Sequence, residues 1–67
     1  MKIKGKVIKY NDASGIIRDN DNNTYIFTKN NIKNDIELKE DDKVMFLAEK
    51  FKTIDVDENI ATFIENI

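Results

Sequence analysis

Short bursts of β-branched and aromatic residues alternate with polar runs along the whole chain. The polar runs are rich in Asn and Asp, which favour turns, whereas Val, Ile, Tyr and Phe favour strands. This rhythm of short strands and turns is typical of a small β protein. We therefore predict an all-β fold with five strands, at approximately 2–10, 14–19, 23–29, 43–51 and 59–66.

Polar segments separate the predicted strands. Residues 11–15 end at Gly15, which permits either a positive φ or a close backbone approach. Residues 19–23 are Asp and Asn only, and this composition predicts a hairpin tip. The connection over 29–42 is longer, and we expect a short helical turn near 29–33.

Alternation within the strands predicts which side chains point inward. Tyr25 and Phe27 lie at inward positions of the third strand. The fourth strand is apolar on both faces, because Val44, Phe46 and Ala48 alternate with Met45, Leu47 and Glu49. We therefore expect Met45 and Leu47 to meet a loop or another chain.

The last segment is compatible with two structures. Its alternation predicts a strand in which Ala61 and Phe63 share one face. Its apolar residues also follow the helical spacing i, i+3, i+4, i+7, at Ile60, Phe63, Ile64 and Ile67. We favour the strand, because a five-stranded barrel needs closure to remove its edges.

The composition limits how the chain is stabilised. A chain of 67 residues buries only ~60% of its unfolded surface, and this one has no Cys for disulfides. We expect one domain, 1–67, with a compact core. Charge is divided unevenly, because residues 1–33 carry seven cations against three anions and residues 34–67 carry four against ten.

The residue types argue against catalysis. Without His or Cys the chain lacks the usual general base, thiol nucleophile and soft metal ligands. Its two glycines form no phosphate-binding loop. Residues 19–23 are similar to the start of a calcium loop, but Thr24 and Asn30 replace the Gly and Glu that such a loop needs. We expect no enzyme, no metal site and no cofactor.

Several motifs occur in the order of a known family. Residues 5–11 read GKVIKYN, where that family has GKVKWFN. Further matches to its KGFGFI, VFVH, LxxGxxVxF and AxNV motifs lie at 14–15, 25–28, 38–46 and 61–64. Asp41 takes the place of a Gly, and Asp is one of the few residues that adopt a positive φ. The chain thus resembles the cold-shock domain, which implies a five-stranded antiparallel OB-type barrel.

In cold-shock domains, single-stranded nucleic acid lies on aromatic side chains of the first three strands. Here Lys9 replaces the Trp, while Ile26 and Thr28 replace an outward Phe and His. Base–aromatic stacking is worth about 1–3 kcal/mol per base, so the resemblance implies weaker binding. The predicted contacts are Lys9, Tyr10, Arg18 and Lys29, with Ile16, Ile26 and Thr28 lining the face and Lys6 as a peripheral phosphate contact.

Two functional hypotheses follow. The first is a module that binds single-stranded RNA or DNA weakly, in a salt-dependent way and with little sequence preference. The alternative is a protein-interaction or self-associating module that uses Met45, Leu47 or the acidic C-terminal half. The longest apolar run, 44–48, is too short to span a bilayer, and we expect a cytoplasmic protein with no membrane partner.

Overall fold

The computed structural model describes residues 2–67, which form five strands and two short 3₁₀ turns. The strands are β1 (Ile3–Tyr10), β2 (Ser14–Asp19), β3 (Thr24–Thr28), β4 (Lys43–Lys52) and β5 (Asp57–Asn66). The 3₁₀ turns, Lys29–Asn31 and Lys33–Asp35, connect β3 to β4. The all-β prediction is confirmed, with strand ends within two residues of those expected. Met1, the first residue of the predicted domain, lies outside the described residues.

The strands close into a barrel in the order β1-β2-β3-β5-β4. Four neighbouring pairs are antiparallel, but β3 and β5 are parallel, with Ile26 opposite Ile60. The expectation of a purely antiparallel barrel is therefore wrong at this one pair. The reason is geometric, because strand directions cannot alternate all the way around a ring with an odd number of members.

Apolar side chains from all five strands fill the barrel. Tyr25 and Phe27 point inward, as alternation predicts, and are 7% and 2% exposed. The Tyr25 ring meets Phe46 edge-on, with ring centroids 4.8 Å apart. Such aromatic pairs add about 0.5–1.5 kcal/mol beyond the area that they bury. Among residues 2–67 no polar or charged side chain is buried, so apolar packing stabilises the interior.

Asp19 organises the hairpin tip between β2 and β3. Its Oδ1 accepts hydrogen bonds of 2.9 Å from the backbone N–H groups of Asp21 and Asn23. Its Oδ2 accepts one of 2.9 Å from the Tyr25 hydroxyl and one of 3.1 Å from Asn23 Nδ2. Partial burial opposes ionisation, but these hydrogen bonds lower the pKa of Asp19 below its ordinary value of 3.8. The predicted hairpin tip is confirmed.

The turn before β4 is attached to β1. Asp41 has a φ of 75°, as its place in the motif implied. Its backbone N–H donates to the Val7 carbonyl at 2.7 Å, and the Val7 N–H donates to the Asp42 carbonyl at 3.0 Å. This pair of hydrogen bonds fixes the entry of β4 into the barrel.

Beyond the barrel, β4 and β5 continue as a two-stranded arm, residues 50–59. β4 pairs with β1 only as far as Phe46, whereas it pairs with β5 as far as Lys52. Ala48 is exposed, although it lies on the same face of β4 as the buried Val44 and Phe46. Ala48 lies past Phe46, the last β4 residue that pairs with β1, and so marks where the barrel interior ends along this strand.

A bulge in β5 changes which side chains face the core. The register between β4 and β5 shifts between Met45 and Leu47, and Phe63 has a φ of 50°. Ala61 and Ile64 are both fully buried, whereas Phe63 is 61% exposed. The expectation that Ala61 and Phe63 share a face is therefore wrong, because a bulge inserts one extra residue and reverses the alternation.

Candidate nucleic-acid interface

One row of residues crosses the outer wall of the barrel from strand to strand. Ile16 of β2 is directly opposite Ile26 of β3, which is opposite Ile60 of β5. Lys9 of β1 is opposite Ile16, and Glu49 of β4 is opposite Ile60. Because directly opposed residues project to the same side of a sheet, the three isoleucines form a continuous apolar surface. We call Ile16, Ile26 and Ile60 the isoleucine floor.

The isoleucine floor lies in an open groove of about 670 Å³. This volume is within the range of about 300–1,000 Å³ that is usual for ligand sites. Polar residues of the strands and turns surround the floor: Lys9, Asn11, Ser14, Thr28, Asn31, Glu49 and Thr62. The groove therefore combines an apolar base with hydrogen-bonding groups around it.

Two turns fix the polar rim of the groove. Asn11 Oδ1 accepts hydrogen bonds of 3.1 and 3.0 Å from the backbone N–H groups of Ala13 and Ser14. Asn31 Oδ1 accepts hydrogen bonds from the Thr28 N–H at 2.8 Å and the Thr28 hydroxyl at 3.3 Å. Both asparagine oxygens are thus occupied by the fold, which leaves the Nδ2 groups as donors for a ligand.

Gly15 permits close packing behind the isoleucine floor. A Cβ atom at this position would lie 2.6 Å from Cζ of Phe27, far inside contact distance. The Tyr10 ring stacks on the same Phe27 ring, with centroids 5.4 Å apart. Gly15 has no positive φ. Of the two roles predicted for it, a positive φ or a close backbone approach, the structure supports the close approach.

Half of the predicted contact residues line the groove: Lys9, Ile16, Ile26 and Thr28. Lys9 and Thr28 are exposed, Ile26 is 41% exposed and Ile16 is half-buried. The structure thus brings the predicted apolar lining together with one predicted cation.

The other predicted contacts lie outside the groove. Tyr10 packs against the core, because a bulge in β1 between Val7 and Lys9 turns Lys9 outward and Tyr10 inward. Tyr10 is therefore not displayed as an outward aromatic, which corrects that expectation. Arg18 and Lys6 are exposed and face each other across β1 and β2, further along the wall. Lys29 is exposed at the start of the first 3₁₀ turn.

Sequence reasoning missed the part of the groove that β4 and β5 supply. Ile60, Thr62 and Glu49 line it, although none of them was predicted as a contact. Strand order alone could have indicated Ile60, because a closed ring that begins β1-β2-β3 must place β4 or β5 beside β3. Asn11 and Asn31 offered no such signal, because Asn is common in ordinary turns.

The groove carries one charge of each sign. The ion pairs formed within residues 2–67 are Lys2–Glu65, Lys33–Glu65 and Lys50–Asp57, so Lys9 and Glu49 are not neutralised by a partner there. Both charges are exposed and act directly on anything in the groove. Lys9 attracts an anionic ligand, whereas Glu49 repels it from the β4 side.

No protein-family model matches the chain, and no curated protein matches it either. In the part of the chain that the structure describes, no three acidic side chains cluster so as to hold a metal ion.

No helix of residues 2–67 is long and apolar enough to cross a membrane. The groove offers apolar contact, amide and hydroxyl groups, and one charge of each sign.

Proposed function

We propose that this chain is a small cold-shock-like module, without catalytic activity, that binds single-stranded RNA or DNA weakly and with little sequence preference. The observation that carries the proposal is the isoleucine floor in an open groove on β2 and β3, with Lys9 at one end. In OB-type barrels the face of strands 2 and 3 is where oligonucleotides bind. In this proposal the bases lie on the isoleucine floor.

The apolar nature of the floor accounts for weak and sequence-tolerant binding. Isoleucine offers apolar contact to any base but not the aromatic stacking that is worth about 1–3 kcal/mol per base. Sequence is read by hydrogen bonds to base edges, and few groups are placed for that here. Glu49 lowers the affinity further because it repels phosphate groups.

Cations around the groove provide the phosphate contacts in this proposal. Lys9 is in the groove, and Lys29 follows directly after Thr28 of the groove lining. Arg18 and Lys6 lie further along β2 and β1, the strands that carry Ile16 and Lys9, and outside the groove. Each phosphate contact releases counterions, so binding weakens as salt increases.

Fluorescence anisotropy with labelled oligo-dT and oligo-U tests the proposal. We expect binding at low salt that falls steeply as salt is added, and a clear loss in Ile26→Ser. The matched control is Ile54→Ser, because Ile54 is fully exposed on the arm and away from the groove. Absence of binding at low salt, or equal loss in both variants, contradicts the proposal.

Exposed apolar residues favour a second candidate function, binding of a protein partner or a second copy. Phe51 and Ile54 on the arm are 50% and 102% exposed, and Phe63 is 61% exposed. A partner contact was predicted from the sequence for Met45 and Leu47. Both are half-buried on the outer wall and are less exposed than Phe51, Ile54 and Phe63. Sedimentation velocity over a concentration series separates the two functions. Self-association that disappears in Phe51→Ser supports this candidate, and a monomer at every concentration contradicts self-association.

A further inference from the structure

Three cations form a second row on the outer wall, across three adjacent strands. Lys6 of β1 is directly opposite both Arg18 of β2 and Lys43 of β4. All three side chains are exposed and project to the same side. Since neighbouring strands lie about 4.8 Å apart, this row spans roughly 10 Å. We call Lys43, Lys6 and Arg18 the cationic row.

No cation of the row forms an ion pair in the part of the chain that the structure describes. The ion pairs formed there use other lysines, at Lys2, Lys33 and Lys50. Like charges directly opposite each other destabilise a sheet, so the row costs the folded state stability. The next outward residue of β1, Lys4, adds a further cation beside a cavity of about 240 Å³ that Lys6 and Lys43 also line. A bound polyanion would remove this repulsion.

The position of the row connects it to the groove. Arg18 is two residues from Ile16 on β2 and projects from the same wall, so the two side chains originate roughly 7 Å apart. At the other end of the floor, Ile60 faces Glu49, and the arm beyond them has mixed charge: Asp55, Asp57 and Glu58 with Lys50 and Lys52, of which Lys50 pairs with Asp57 at 3.6 Å. A nucleic-acid strand that leaves the isoleucine floor past Ile16 therefore meets unpaired cations, whereas past Ile60 it first meets the Glu49 carboxylate.

We infer that the cationic row binds the phosphodiester backbone of the strand that occupies the groove, where that strand leaves it past Arg18 and crosses β1 towards Lys43. The inference rests on the proposed function and adds a binding site to it. Lys43 becomes a phosphate-contacting residue that the sequence did not single out. The row reads no bases, so it adds affinity and salt dependence but no sequence preference.

The experiment compares two oligo-dT lengths on the full chain by fluorescence anisotropy. One oligonucleotide has about four nucleotides and occupies the groove alone, and the other has about ten, both within the site sizes of OB folds. The variant Lys6→Thr/Lys43→Thr removes two cations of the row. The control Lys39→Thr/Lys52→Thr removes two exposed cations that lie outside both the row and the groove.

We expect the wild type to bind the longer oligonucleotide more tightly. The row variant should lose most of that advantage and should lose much less affinity for the shorter oligonucleotide, because Lys6 and Lys43 do not line the groove. For the longer oligonucleotide, the slope of log K against log salt should become less steep by about 1.4, or about 0.7 for each lost contact. The control variant should retain the wild-type length dependence. Thermal unfolding provides a second readout, in which the row variant should be at least as stable as the wild type because repulsion is removed.

Each other outcome overturns a defined part of the account. If neither oligonucleotide binds the wild type, the proposed function fails and the inference fails with it. If both bind but the row variant behaves like the control, the inference alone fails. If a poly-glutamate peptide binds the row as tightly as the longer oligonucleotide does, the row is a site for acidic peptides and the inference is overturned.

Discussion

Ile16 and Ile26 are direct cross-strand partners, and both line the groove on the outer wall of the barrel. Behind them, Gly15 and Phe27 are also cross-strand partners and are buried. β2 and β3 therefore present an isoleucine pair on the outer side and the Phe27 ring against Gly15 on the inner side. This arrangement separates binding from stability, because the outer pair can be changed while the inner pair is kept.

Replacing Ile26 by Phe should strengthen oligonucleotide binding. The new ring would be displayed in the groove and would supply a stacking contact worth about 1–3 kcal/mol per base. Anisotropy titration measures the gain. The control is Ile54→Phe, the same substitution on the exposed arm, which should leave the affinity unchanged. No gain in Ile26→Phe, or an equal gain in both variants, contradicts a stacking surface at this position.

The two charges of the groove should act in opposite directions. Glu49→Gln should raise oligonucleotide affinity because it removes a charge that repels phosphates. Lys9→Gln should lower the affinity and make the salt slope less steep by about 0.7. The matched controls are Glu58→Gln and Lys52→Gln, on residues that do not line the groove. If the groove variants change the affinity no more than their controls, phosphates do not pass this site.

Gly15→Ala should destabilise the barrel. Its Cβ would lie 2.6 Å from Cζ of the buried Phe27, and overpacking of this kind costs about 1–3 kcal/mol. Urea unfolding measures the loss. Ser14→Ala, at the exposed neighbouring position, should change the stability little. A Gly15→Ala variant as stable as the wild type would contradict the close approach of the Phe27 ring and the Lys9 carbonyl to Gly15.

The stability should fall at alkaline pH because of Tyr25. Burial first, and then the hydrogen bond to Asp19, raise the pKa of Tyr25 above its ordinary value of 10.0. The unfolded chain ionises this hydroxyl at the ordinary value. The contribution of Tyr25 is therefore complete below that pH and is lost as pH rises through the folded-state pKa.

Urea unfolding between about pH 8 and about pH 11 tests the predicted alkaline loss of stability, because the ordinary pKa of Tyr lies in that range. Tyr25→Phe should be less stable than the wild type at neutral pH but should lose less stability as pH rises. Tyr10→Phe keeps the hydrogen bond between Tyr25 and Asp19, so it should retain the wild-type alkaline slope. Equal slopes in the wild type and Tyr25→Phe contradict this assignment.

Local pattern predicted the strands and much of the core, but not everything that builds the groove. Tyr25 and Phe27 were placed correctly because alternation with a period of two depends only on neighbouring residues. Tyr10 and Phe63 were misplaced because each follows or lies in a bulge, and no residue type marks the extra position. Bulges depend on how two strands pair, which a single strand does not reveal.

The groove and the cationic row depend on strand order and register. Ile60 joins Ile16 and Ile26 only because β5 lies beside β3, and Lys43 joins Lys6 only because β4 lies beside β1. These pairs are more than thirty residues apart in the chain. Composition indicated a basic first half, but only the register shows that one lysine from the acidic half completes the row.

An amide chemical-shift map of the labelled protein with a short oligo-pyrimidine shows directly where the strand binds. Binding in the groove should produce shifts grouped on the isoleucine floor, at Ile16, Ile26 and Ile60, and at the neighbouring Lys9. The arm, residues 50–59, should remain unchanged apart from the residues next to Glu49. An unchanged spectrum, or shifts confined to the arm, would contradict binding in the groove.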